Sequence, residues 1–339
     1  MRIAITGATG SLGGALIAQL AADGGRGCGP ERVVALSRDE VKSGDLAERW
    51  AAFAPLKCML GDVRDLERLV EVFRGCDVVV HAAALKRIGH SVYSPGEIMK
   101  TNVQGTVNVV RAATEAGVGR VVVVSSDKAV EATNMYGMSK AIAECYAVQS
   151  NSYGAPRGTR VACVRYGNVL GSRGSVVGVW RGQLDRGEGL TITSPGMTRF
   201  IIALPDAARF VLAAAGAMEG GEIFVPLLPA ASLPTLADAV TREWAARHPG
   251  ASHRLDYDVV GPRPGGEKFH EALLSREEPA RAWYDAAHSR VAVLPSYHSW
   301  RAAWDTSGYA NRVERPYTSD APGRWLAVGE LVEMLREVP

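Results

Sequence analysis

The chain has 339 residues, of which 47% are hydrophobic and 22% charged, with a formal net charge of +2. That is enough to bury a full core as one large or two unequal domains. The near balance of charge, without a long basic run, argues against nucleic acid as a partner. No charged n-region precedes an apolar stretch of signal length, and no run of about 18 apolar residues occurs, so neither a signal peptide nor a membrane span is expected. The five cysteines (Cys28, Cys58, Cys76, Cys145, Cys163) are odd in number and scattered, and no pair has metal-site spacing. The expectation is a reduced, cytoplasmic protein with buried thiols and no metal.

In chain order, "RIAIT" is a short apolar, β-rich run, followed by a Gly-rich turn and by "GALIAQLAA", which has helical periodicity. "RVVAL" reads as the second strand, followed by a polar helix-like stretch to about Phe53. "CDVVVHAAA" reads as the third strand and "RVVVVSS" as the fourth, with "GTVNVVRAATEAG" between them as a helix ending at Gly117. "RVACVRYGN" and "GGEIFVP" are further strands, and "RWLAVGELVEMLREV" is an amphipathic terminal helix. Continuous apolar strands alternating with helices predict an α/β fold with a doubly wound parallel sheet covered on both faces. The alternation fades after about Tyr166, where Gly, Pro, Arg and Trp punctuate shorter elements. This predicts a Rossmann domain over 1–165, completed by about 197–226. A smaller α+β domain covers 166–196 and 227–295, and a tail with the terminal helix covers 296–339.

"TGATGSLGG" places Gly7, Gly10 and Gly13 between the first strand and the first helix. Gly7 suits the tight turn, Gly10 a backbone approach to a pyrophosphate, and Gly13 close helix–strand packing, with the helix N-terminus facing the phosphates. Strand before and helix after favour a dinucleotide over a purely structural turn. The second strand ends in "ALSRDE", where an NAD enzyme would carry an acid for the ribose 2′-hydroxyl. Ser37 and Arg38 stand there instead, and a guanidinium suits a 2′-phosphate, so NADP is favoured over NAD. The plainer alternative is a solvated Arg38 paired with Asp39 or Glu40. Asp62 and Val63, in "LGDVRD", fall where the third strand of such folds reaches the adenine.

"SSDKAVEATNMYGMSK" holds Ser126, Tyr136 and Lys140. Tyr136 and Lys140 are four apart, hence on one helix face. An ammonium close to a phenol lowers its pKa and makes it a usable base. Asp127 and Lys128 directly after the serine add two proton-transfer groups. As a base, Lys128 would need a pKa well below the free value of about 10.4, which burial and a neighbouring cation supply. Alternatively the two form a structural pair, although neighbours on a strand point to opposite faces.

Taken together, "TGATGSLG", "HAAA", "SS" and "YGMSK" resemble an extended short-chain dehydrogenase/reductase. More narrowly, "AALK", "SSDKAV", "RYGNVLGSRGSV", "MTRF", "GGEIFVP" and "RPGGEK" resemble the soluble, C5-inverting UDP-N-acetylglucosamine 4,6-dehydratases of the polysaccharide biosynthesis family, over about residues 1 to 275. The resemblance implies a tightly held NADP and a nucleotide-sugar site between the domains. It implies internal redox: hydride leaves sugar C4, water is eliminated across C5 and C6, and hydride returns to C6. It places Asp127 as acid at the C6 hydroxyl, Lys128 as base at C5, Tyr136 as base at the C4 hydroxyl, Lys140 lowering the tyrosine pKa and holding the ribose, and Ser126 hydrogen-bonded to O4. It implies cofactor contacts from Gly7, Thr9, Gly10, Ser11, Leu12, Gly13, Ser37, Arg38, Asp62, Val63, Ala82, Ala83, Ala84, Lys86, Asn102, Tyr136, Lys140, Tyr166 and Val169. Substrate contacts would come from Lys86, Ser126, Asn168, Ser175, Val176, Thr193, Arg199, Arg263 and Glu267.

Two arginines, Arg199 and Arg263, suit a diphosphate; as surface charges they would contribute little. His81 reads as a packed strand-end residue rather than a catalyst, and Trp180 and Tyr166 as core or wall. The chain departs from the family pattern at Gly265–Gly266, where one glycine is usual, at Gly178 for a proline, at Ser194 for an aspartate, and in "LKRIGHSVYSP". The competing readings are a nucleotide-sugar 4-epimerase, which needs no elimination, an NADP-binding regulatory protein, and C5 retention in place of inversion. The resemblance further suggests a homo-oligomer packed through Rossmann-domain helices.

Overall fold

The computed structural model describes all residues except 26–28, 87–92, 251–254, 264, 298–299, 301–303, 305 and 339. Its strands are β1 (Arg2–Thr6), β2 (Arg32–Ser37), β3 (Leu56–Leu60), β4 (Val78–His81), β5 (Arg120–Val124), β6 (Arg160–Val164), β7 (Asn168–Val169), β8 (Leu190–Ile192), β9 (Thr198–Ile202), β10 (Ile223–Pro226), β11 (Ala230–Ser232), β12 (Tyr257–Val259), β13 (Ala272–Leu274), β14 (Ala282–Asp285), β15 (Arg290–Val293), β16 (Asn311–Arg312) and β17 (Tyr317–Thr318). The longer helices are α1 (Ser11–Gly24), α2 (Glu40–Arg49), α3 (Leu66–Phe73), α4 (Gly105–Glu115), α5 (Met135–Gln149), α6 (Val176–Asp185), α7 (Leu204–Ala217), α8 (Leu233–Arg247) and α9 (Val328–Arg336).

The Val- and Ile-rich runs of β1, β4, β5 and β6 are buried almost throughout, as strands covered on both faces require. They form the centre of a sheet in the order β16-β14-β15-β10-β6-β5-β4-β1-β2-β3. From β3 to β10 every pairing is parallel, while β15, β14 and β16 extend the edge antiparallel. Helix α1 packs on α7, α3 on α4 and α4 on α5, giving the helical layers of a doubly wound Rossmann sheet. The order reverses between β1 and β4, where Thr6 lies opposite His81. In open α/β sheets the crevice beyond the strand ends at such a reversal is where ligands bind.

A second set of elements packs on its own apolar cluster. Leu170, Val177, Trp180, Leu190, Ile192, Ile201, Leu236, Leu331 and Leu335 are buried together. They come from the β7–β9–β11 sheet, the β8–β12 pair and the helices α6, α8 and α9. The terminal helix read from the sequence is α9, lying against α8.

Several details differ from the sequence reading. "LKCML" forms β3, so "CDVVVHAAA" supplies the fourth strand and not the third; β3 is only half-buried and mixed in character, so it lacks a continuous apolar signal. The polar helix ends at Arg49, short of Phe53. β14 and β15, read with the second domain, pair into the large sheet, whereas β9, read with the first, pairs with β7 and β11. Of the thiols, Cys76 and Cys163 are buried, Cys58 is half-buried and Cys145 is exposed; Cys28 lies outside the described residues. No helix among the described residues is long and apolar enough to cross a membrane.

Candidate active site

A cleft of about 1040 Å³ opens at the reversal point and runs between the large sheet and the second cluster. Gly7, Gly10, Ser11, Leu12 and Gly13 line one end. Gly7 has φ +70°, and a Cβ there would meet the Ala83 backbone at 2.8 Å. At Gly13 a Cβ would lie 2.5 Å from the Ala8 backbone. Helix α1 begins after Gly10 with no side-chain cap, so its first-turn N–H groups face the cleft as anion donors. This is the cradle a dinucleotide pyrophosphate requires, and the residues fit the group. Thr9 Oγ1 bonds Ser37 Oγ at 2.9 Å, tying the loop to the end of β2. Arg38 reaches Asp62 at 3.9 Å and not its neighbours Asp39 or Glu40; Asp39 caps α2 through the Lys42 N–H. Val63 packs against Gly105, where a Cβ would lie 2.8 Å from its methyl.

Ala82, Ala84, Lys86, Tyr166 and Val169 line the same cleft; Ala83 backs Gly7, with its N–H on Thr6 Oγ1 at 3.3 Å. Asn102, expected at the cofactor, instead uses its amide on both backbone groups of Leu85, at 2.8 and 2.9 Å, and on Ser139 Oγ at 3.0 Å. It fastens the loop after β4 to α5 and is not among the cleft-lining residues. His81 is packed, as read: its ring bonds Thr6 at 2.8 Å and Thr106 at 3.1 Å, and burial, then the Lys140 charge, pull its pKa down to about 3.

Asp127 and Lys128 sit on a single 3₁₀ turn, Asp127–Ala129, and not on a strand. The turn brings both side chains to one side, so they pair, with Lys128 Nζ 3.1 Å from Asp127 Oδ1. Ser126 Oγ donates to the same oxygen at 2.8 Å and accepts from the Lys128 N–H at 3.3 Å. Asp127 is fully buried, and its second oxygen has no partner. Burial raises its pKa against the pull of Lys128, which favours the acid form.

Two electrostatic expectations are overturned. Burial does push Lys128 down, but the carboxylates of Asp127 and Glu271 outweigh it and hold its pKa above the ordinary value. Tyr136 is raised by burial. Lys140 does not relieve it, because Lys140 Nζ donates to the Val124 carbonyl at 2.5 Å and burial lowers its own pKa to about 8.

On the substrate side, Asn168, Ser175, Val176, Thr193, Arg199, Arg263 and Glu267 all line the cleft. Asn168 Oδ1 is buried without a partner. Arg199 is buried and not a surface charge; it pairs with Glu267 at 2.8 Å. The extra glycine leaves that pairing intact. Gly266 has φ +94°, and a Cβ there would lie 2.6 Å from the Thr133 carbonyl, so this segment can lie against the start of α5. Trp180 is buried in the second core at the cleft wall. The atypical stretch after Lys86 falls largely outside the described residues.

Sequence reasoning missed Lys268 and Glu271, which also line the cleft. Glu271 lies 3.3 Å from Lys128 and 2.9 Å from Lys268. Their spacing by three residues in "GEKFHE" was the available signal. Arg173 was missed too: its N–H donates to Ser11 Oγ at 3.1 Å and its guanidinium to the Thr9 carbonyl, joining the segment after β7 to the glycine loop.

Residues 3–292 match the family described as polysaccharide biosynthesis protein. The chain belongs to that family. Among its relatives is the inverting UDP-N-acetylglucosamine 4,6-dehydratase of Campylobacter jejuni, 34% identical over 98% of this chain and 96% of that protein. Another is the UDP-glucose 4-epimerase of Rickettsia massiliae, 40% identical over 82% of this chain and 79% of that protein. Among solved structures, Pen from Bacillus thuringiensis superposes with a TM-score of 0.87 at 27% identity, covering 99% and 97% of the two chains. The chain is thus a member of a nucleotide-sugar dehydratase and epimerase group with the extended short-chain dehydrogenase/reductase fold, in agreement with the resemblance read from its motifs.

Proposed function

We propose that the protein is an NADP-dependent 4,6-dehydratase that converts UDP-N-acetylglucosamine, or a close hexosamine nucleotide, to the 4-keto-6-deoxy sugar with inversion at C5. The observation that carries this reading is the pair of buried Asp127 and half-buried Lys128 beside Ser126 and Tyr136, an acid and an amine for which a 4-epimerase has no step. The full-length likeness to an inverting dehydratase supports it. A dinucleotide bound at the glycine loop would supply hydride acceptance at C4 and hydride return at C6. Arg38, with Asp62 beside it, would take the 2′-phosphate.

In this reading Tyr136, once its phenol has lost its proton, takes the C4 hydroxyl proton, and Ser126 holds O4. Lys128, once its ammonium has given up a proton to solvent, takes the C5 proton. Asp127, whose pKa burial raises, gives a proton to the departing C6 hydroxyl, which leaves as water. Once Asp127 is neutral, one of the two charges that hold the Lys128 ammonium is gone. Arg199, Arg263 and the unpartnered Asn168 amide oxygen would bind the nucleotide-sugar head.

The test is incubation of the purified protein with UDP-N-acetylglucosamine in D2O without added cofactor, followed by mass spectrometry and proton NMR. Loss of one water with deuterium at C5 is expected, and the C5 coupling reports inversion or retention. Unchanged mass with a C4-inverted sugar would establish the epimerase reading that the Rickettsia relative suggests. Bound NADP with no turnover of any nucleotide sugar would favour a regulatory protein.

A further inference from the structure

The Asp127–Ala129 turn is held from outside by one short segment. Lys268 Nζ donates to the carbonyls of Asp127 at 2.9 Å and Val130 at 2.8 Å, across a sequence separation of 141 and 138 residues. The same ammonium lies 2.9 Å from Glu271 Oε2, while Glu271 Oε1 faces Lys128 Nζ at 3.3 Å. Thus a single cation grips the turn that bears the acid and the amine, and also the carboxylate that faces the amine. Glu271 is itself fixed: its N–H donates to Ser319 Oγ at 2.8 Å, and its side chain is almost fully buried.

We propose that Glu271, held in place by Lys268, is a positioning residue for Lys128, setting where the amine sits and how firmly it keeps its proton. The proposal takes its catalytic meaning from the dehydratase reading. The titratable and charged groups facing Lys128 are Asp127 on its own turn, Tyr136 on α5, Glu271 before β13 and Arg199 on β9. When Asp127 carries the proton destined for the leaving hydroxyl, Glu271 is the anion that still holds the ammonium. Burial would raise Glu271, but Lys128, Lys268 and Arg199 keep its pKa at about 2. Glu271 therefore stays charged across the working range and acts as a constant bias on Lys128.

The experiment compares cofactor-loaded wild type, Glu271→Gln, Glu271→Asp and Lys268→Met, each checked for folding by thermal melting. Lys128 is titrated directly, from the pH dependence of its acetylation by acetic anhydride read by peptide mass spectrometry. The pH profile of UDP-N-acetylglucosamine dehydration is measured alongside. Glu271→Gln should bring Lys128 reactivity, and the matching limb of the rate profile, to lower pH by roughly 1–3 units. Glu271→Asp keeps the charge and should stay near wild type. Lys268→Met frees both the Glu271 carboxylate and the turn, so the Lys128 titration should move part of the way toward that of Glu271→Gln, and kcat should fall. An unmoved Lys128 titration in folded Glu271→Gln, or in folded Lys268→Met, would overturn the proposal. Wild type whose Lys128 titration depends on Glu271, but which releases no dehydrated sugar, would support the electrostatic link and sink the dehydratase reading instead.

Discussion

Arg165 Nε donates to Glu144 Oε2 at 2.8 Å, and the pair joins the end of β6 to the helix that carries Tyr136 and Lys140. The other edge of the guanidinium meets Glu278 through two further bonds of 2.8 Å, and all three side chains are buried. Helix α5 and the segment behind β13 are therefore tied through one planar fork, a geometry that a lysine does not reproduce. Glu144→Ala would leave the guanidinium half paired in the interior. We expect a loss of about 3–5 kcal/mol in unfolding free energy, measured by urea titration. A variant as stable as wild type would mean that Glu278 alone satisfies Arg165.

Arg38 decides between cofactors if its guanidinium addresses the 2′-phosphate. Arg38→Ala should weaken NADP binding by about 10–100-fold, the worth of a charge-assisted hydrogen bond, and leave NAD binding nearly unchanged. Calorimetric titration of both dinucleotides checks this. Equal weakening of the two would assign Arg38 to the adenosine as a whole.

Asp127→Asn keeps the shape of the buried side chain but removes the acid. Elimination should slow by roughly 10²–10⁴-fold, while the nucleotide sugar still binds. Water loss is followed by mass spectrometry and binding by calorimetry. Undiminished water loss would show that the proton reaches the leaving hydroxyl from another donor.

Lys140 leads to a pH dependence whose sign is fixed. Its folded pKa, about 8, lies below the unfolded value near 10.4. The unfolded chain therefore binds more protons between these values, and stability rises with pH across that window. Below about pH 8 the penalty of the buried ammonium is complete. In the cofactor-free protein, the unfolding free energy of wild type relative to Lys140→Met should rise by roughly 2 kcal/mol from pH 8 to about 10. A flat difference would show that Lys140 is solvated or paired in solution.

The local features of this molecule are written in its sequence. Continuous Val and Ile runs specify strands buried on both faces, because only such a run suits a sheet covered by helices. The glycines at 7, 10 and 13 specify a turn and a close helix approach, since each forbids a Cβ within the space its neighbours occupy. The spacing of Tyr136 and Lys140 places them on one helical face. What the tertiary structure alone decides is charge. The Asp127–Lys128 peptide was legible as an acid and an amine, but its protonation depends on Glu271 and Lys268, brought in from more than a hundred residues away. The fork of Arg165 likewise reaches Glu278, 113 residues on. Burial and long-range ion pairing are properties of the packed chain, and no periodicity encodes which carboxylate will face which ammonium. The edge strand β3 was missed for a related reason, since a half-buried, mixed run acquires its strand geometry from pairing with β2 and not from its own pattern.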